Sequence, residues 1–148
     1  MATLKIKIQE DIVLDNQDYG SKRTLEISSI NEVMKRIVTC AASQTTTIAV
    51  FNSNAYGAAG AIDIEDSKYI RITNLDTSNA VELAIVGAAT LYQVNLAAGQ
   101  SHVLGSADGL MLSEADTSPS FGTMADLGSI QVNPGGNAGD VELFIASA

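Results

Sequence analysis

Tryptophan is absent from this chain of 148 residues, histidine and cysteine occur once each, and proline only twice. The single cysteine, Cys40, rules out an intramolecular disulfide. It reads as a small buried apolar residue, because an activated thiolate needs a neighbouring base and the only histidine is His102. Basic residues are also scarce: 8 against 17 acidic ones, for a net charge of −9. Four of the eight fall between Lys22 and Arg36, with Lys5 and Lys7 nearby, but Glu26 and Glu32 break the run. Such a surface repels a phosphate backbone, so direct nucleic-acid binding is not expected. No apolar run approaches the ~20 residues a bilayer-spanning helix needs, so no membrane partner is expected. Met1 to Ile6 lacks a basic stretch followed by a long apolar one, which gives no secretory signal and an expectation of synthesis in a cytoplasm.

The composition that remains suits pleated strands. Apolar residues make up 46% of the chain, chiefly Val, Ile, Leu and Ala, mixed with Thr, Ser, Asn and Gly. Leu4, Ile6 and Ile8 alternate with polar neighbours, and after the turn cluster Asp15 to Gly20 the alternation resumes at Leu25 and Ile27. That pattern predicts a hairpin. Thr45 to Phe51, Lys68 to Asn74, Val81 to Ile85, and Thr90 to Leu96 read as further strands, with shorter candidates at Val103-Leu104 and Leu110 to Leu112. Ile130 and Val132 pair, on this reading, with Val141, Leu143 and Ile145 in a closing hairpin around Asn133 to Gly139. Ile30, Val33, Met34 and Ile37 instead follow helical spacing behind a Ser29–Glu32 capping box, which predicts at most one or two helical turns before a strand at Arg36 to Cys40. Ser113 to Asp126, holding Pro119, reads as the longest irregular loop, and Asn52 to Gly60 as an exposed one. About nine or ten short strands at this spacing predict an all-β fold, a β-sandwich or jelly-roll-like domain with at most one or two short helical turns. No linker divides the chain, so residues 1–148 are expected to form one β-sandwich domain.

The candidate chemistry is thin. Gly57, Gly60 and the Gly135-Gly136 pair lack the setting of a phosphate-binding loop, and no G-x-S-x-G elbow occurs. His102 follows an Ala-Ala-Gly turn and reads as an ordinary side chain rather than a base or metal ligand. Asp63, Glu65 and Asp66, and separately Glu114 and Asp116, could serve glycoside hydrolysis or calcium, but read better as solvated turn carboxylates. The chain is expected not to be an enzyme, with no catalytic, cofactor-binding or metal residues assigned and no cofactor.

Tyr69 to Asp76 (YIRITNLD), Val81 to Ile85 (VELAI), Leu96 to Gly99 (LAAG) and Gly139 to Ala146 (GDVELFIA) resemble small virion proteins of tailed bacteriophages, especially phages of marine bacteria. Glu10 to Leu14 and Ile27 to Ile37 fit the same picture. The likeness carries no invariant functional motif, so no site is transferred. It implies a structural β-sandwich of the virion, most simply a capsid decoration (cement) protein that stabilises the head through surface and strand-edge contacts. A tail, neck or fibre component, or a carbohydrate-binding β-sandwich module, are the alternatives. The implied partners are further copies of the chain, with a trimer favoured, and the major capsid protein or other virion proteins. The implied location is the virion. Ala2 to Gln9 is the segment singled out for strand pairing between copies, with an ordinary internal strand as the equal alternative.

Overall fold

A computed structural model describes residues 1–54, 60–87, 91–114 and 117–148. Two sheets form a sandwich, and every strand pairing in them is antiparallel except that of the short β7 (Ile62–Asp63) with β6 (Thr46–Asn52). One contains β5 (Glu32–Cys40), β8 (Ser67–Asn74), β11 (Ser101–Leu104) and β13 (Gly139–Ser147), in the order β11-β8-β13-β5. The other contains β6 (Thr46–Asn52), β7 (Ile62–Asp63), β9 (Val81–Gly87), β10 (Leu91–Leu96) and β12 (Leu127–Asn133), in the order β10-β9-β12-β6-β7. Setting aside the two-residue β7, the eight strands have the connectivity of a jelly roll, because the chain switches sheet at every step except the β9–β10 hairpin. The all-β sandwich expected from the alternation is therefore what forms.

The core follows from that alternation. Ile70 and Ile72 of β8 and Val141, Leu143 and Ile145 of β13 point inward from one sheet, against Ile48 of β6, Leu83 and Ile85 of β9, and Ile130 and Val132 of β12 from the other. All are within 1% of complete burial, which at ~1.5–3 kcal/mol per large aliphatic side chain is the main favourable term. Among the described residues, two polar side chains share this interior. Ser67 donates to Ile64 O (3.0 Å) and accepts from Ala107 N (2.9 Å). Asn74 donates to the carbonyls of Asn79 (2.9 Å) and Leu96 (3.1 Å), while its Oδ1 accepts from Asp76 N (3.0 Å).

Three expectations need correction. Residues 30–37 form no helix: Ser21–Ile30 is β4, and β5 begins at Glu32. Ser29 takes a left-handed φ of 64° in place of an N-cap conformation, and the β-branched stretch continues straight into β5. The helical spacing arose because the two faces of an edge strand are both partly apolar, with Met34 turned to the core and Val33 and Ile37 more than half exposed. The closing hairpin is also absent. The Asn133–Gly139 segment carries the chain from β12 in one sheet to β13 in the other, with Gly135 at a left-handed φ of 68° and its N–H held by Asn133 Oδ1 (2.9 Å). Residues 110–112 contribute a single bridge, Met111 to Ala125, rather than a strand. No strand occupies the described part of 113–126. The central part of the predicted 52–60 loop, including Gly57, lies outside the described residues, as do Thr90 and Asp116.

Candidate interaction surface

A third layer lies on the outer face of the four-stranded sheet. β1 (Ala2–Glu10) pairs antiparallel with β4 along its whole length, so the predicted N-terminal hairpin forms and Ala2 to Gln9 is paired within its own chain. Cross-strand partners share a face. Leu4 with Ile27, Ile6 with Leu25, and Ile8 with Arg23 therefore make one mostly apolar stripe. At the hairpin base, Leu4, Ile6, Ile27 and the buried Ile30 pack on Tyr69, Phe144 and Ala146 of β8 and β13. Tyr69 and Phe144 meet edge to face at 6.0 Å, and the Arg71 guanidinium lies 5.7 Å from the centroid of the Phe144 ring.

The hairpin then runs past the region it covers. Beyond Glu10 the pairing is taken up by β2 (Val13–Leu14) and β3 (Gln17–Asp18), joined by a two-residue turn with both Asp15 (φ 49°) and Asn16 (φ 65°) left-handed. This is the conformation a tight hairpin with right-handed strand twist requires, and Asp and Asn tolerate it. Gly20 sits at the waist, where a Cβ would meet Glu10 O at 2.7 Å. At ~3.3 Å per residue the arm is roughly 40 Å long. Along it Ile8, Ile12, Val13, Leu14, Tyr19 and Leu25 are each more than half exposed.

Between the arm and the sandwich lies a groove of about 460 Å³. Ile6, Ile8, Leu25 and Ile27 line it from the hairpin, Tyr69, Val103 and Leu104 from the sandwich, and Arg23 and Lys68 bring two cationic side chains to it. Among the described residues, β11, which supplies Val103 and Leu104, hydrogen-bonds as a strand only to β8. The edges of the sandwich differ in kind. β5 carries Lys35 and the inward-reaching Arg36, which donates to Ile48 O on the opposite sheet and so closes that flank. Such charges discourage another strand from adding there. β10 and β11, on the other flank, contain no acidic or Lys/Arg side chain.

The residues singled out from sequence are dispersed. His102 contacts Tyr92 across that second flank (Nε2 to OH 3.2 Å), and burial holds its pKa below the ordinary value. Cys40 is fully buried on β5, at the opposite edge of the same sheet, and burial pushes its thiol up. Asp63 Oδ1 accepts from Glu65 N (3.0 Å) in a local turn, and Asp66 O accepts from Ala148 N (2.9 Å). Glu114 binds Ser120 through its N (3.3 Å) and Oγ (3.1 Å). Among the described residues no three His, Cys, Asp or Glu side chains come together as a metal site. No described helix is long and apolar enough to cross a membrane. Only half of the groove was readable from sequence. Its hairpin side was signalled by apolar residues alternating on both paired strands, but nothing local connects them to Tyr69 or Val103.

No protein-family model matches the chain, and no curated protein matches it. Among solved structures, it is similar to one described by the words "Bacillus endospore appendages form a novel family of disulfide-linked pili". The two share 12% identity at a TM-score of 0.43, over 81% of this chain and 88% of the other. A likeness that distant carries no argument about function.

Proposed function

We propose that this chain is a non-enzymatic structural protein, one subunit among many copies, whose work is done by the arm and the flank beneath it. The observation that supports this most is the overhanging apolar half of the arm. Six large apolar side chains, each more than half exposed, lie along one hairpin. A monomer that acts alone gains nothing from such a patch and risks aggregation, whereas a subunit needs it. In its specific form the proposal is a capsid decoration protein of a tailed bacteriophage, forming a homo-oligomer with a trimer favoured and seated on the major capsid protein. The resemblance of the YIRITNLD, VELAI, LAAG and GDVELFIA segments to small virion proteins supports that placement.

The test is mass spectrometry of density-purified particles from the source culture, with heads and tails separated. The chain is expected in the head fraction at a copy number comparable to the capsid protein. Heads lacking it should disrupt at lower temperature. Recovery on tails alone would move the chain to the tail or neck, and absence from all particles would end the virion reading.

A further inference from the structure

We propose that the tip of the arm in one copy docks into the groove beneath the arm of a second copy. This rests on the reading of the chain as an assembling subunit and names the contact. Ile12, Val13 and Leu14 are three consecutive apolar residues, 54%, 70% and 57% exposed, at the end of the hairpin. They are bracketed by Glu10, Asp11, Asp15 and Asp18. The groove presents the reverse arrangement: apolar walls with Arg23 and Lys68 beside them. Among the described residues neither cation is in an ion pair, and Lys68 Nζ meets only the main-chain oxygen of Glu65 (2.6 Å). An apolar tip ringed by carboxylates thus matches an apolar groove flanked by cations, in both polarity and sign.

Topology requires a second copy. The Asp15-Asn16 turn fixes the tip at the far end of the same two strands that line the groove, so a chain cannot fill its own groove. Main-chain groups fit as well. Among the described residues β11 has one edge without a strand partner beside the groove, and the short β2–β3 ribbon at the tip can add to it as a further strand. Tip and groove are different surfaces, so the contact is heterologous, and it closes a ring where the rotation between copies allows and otherwise propagates.

The experiment uses two populations of the full chain, one with Val13→Cys and one with Val103→Cys, mixed and mildly oxidised. Both sites are half exposed or more, and the native Cys40 is fully buried. The mixed disulfide is expected at least about tenfold above the adduct formed by either variant alone. Adding Leu14→Asp to the tip partner should remove that excess. As an independent readout, Arg23→Glu with Lys68→Glu should weaken self-association in sedimentation about tenfold or more, and Asp11→Lys should restore part of it, as rim charge reversals do. No excess of mixed adduct, or an excess indifferent to Leu14→Asp, overturns the docking. Assembly without the adduct overturns the docking and leaves the assembling-subunit reading intact. A monomer at every concentration ends both, and an adduct from a chain absent from virions ends only the virion placement.

Discussion

Asn74 joins three parts of the sandwich through one fully buried amide, reaching the carbonyls that end the 75–79 turn and strand β10 while receiving Asp76 N. Replacing it by leucine keeps the approximate volume but leaves buried carbonyls unpaired. Asn74→Leu is expected to cost about 2–3 kcal/mol, read as a lower urea midpoint with an unchanged slope. Charge is used differently on the outer face of the same sheet. Glu142 accepts from Arg71 (2.6 Å) with Lys35 3.6 Å away, and the Arg71 hydrogen bond, aided by the charge of Lys35, holds its carboxyl below the ordinary range. A depressed carboxylate stabilises the fold above its unfolded value of ~4.3, and that contribution is lost as pH falls through the lower folded value. His102 is also depressed, by burial, so its contribution is complete above its unfolded value of ~6.5 and declines as pH drops toward the folded one. Urea midpoints against pH should therefore fall in two steps, with His102→Gln flattening the upper and Glu142→Gln reducing the lower, to which Asp76, held low by the hydrogen bonds of Asn79 and Ser78, also contributes. A profile unchanged by both substitutions contradicts these assignments.

Among the elements, the arm combines an anchored base with a projecting tip. Ile27 sits half-buried at the base against Tyr69 and Phe144, whereas Leu14 stands 57% exposed at the tip. Ile27→Ala is expected to speed hydrogen exchange of β1 and β4 amides while those of β8 and β13 stay protected. Leu14→Ala should leave stability within about 0.5 kcal/mol, and Leu143→Ala in the core should cost about 2–5 kcal/mol. Most of these elements were legible before the structure, because a half-buried strand writes its burial as alternation: Ile6 and Ile8, Ile70 and Ile72, Leu83 and Ile85, Leu143 and Ile145. What alternation cannot express is which sheet a strand joins. Ile130 and Val132 looked like the partners of Val141 and Leu143, yet they face each other across the core instead of lying side by side. Residues 30–37 misled for a related reason, since an edge strand with apolar residues on both faces imitates helical spacing. The groove was half legible. Ala2 to Gln9 stood out for its apolar face, but Tyr69 and Val103, which complete the site, are distant in sequence and reach it only through the jelly-roll connections.

At the scale of the whole molecule, the chain is a sandwich with an unequal distribution of exposed surface. One flank is guarded by Lys35 and Arg36, the outer face of the five-stranded sheet carries polar residues such as Glu82, Gln93 and Asn95, and the remaining flank is overhung by the arm. On the proposed reading, association uses the side overhung by the arm. Because the tip is acidic at its margins and the groove cationic, assembly should weaken as salt shortens the Debye length from ~10 Å at 0.1 M to ~3 Å at 1 M, while the apolar part of the contact persists. The most direct measurement is sedimentation velocity of the intact chain across a hundredfold concentration range, at low and high salt. The account predicts species larger than a monomer that grow with concentration and recede with salt. A single monomeric species throughout would contradict it.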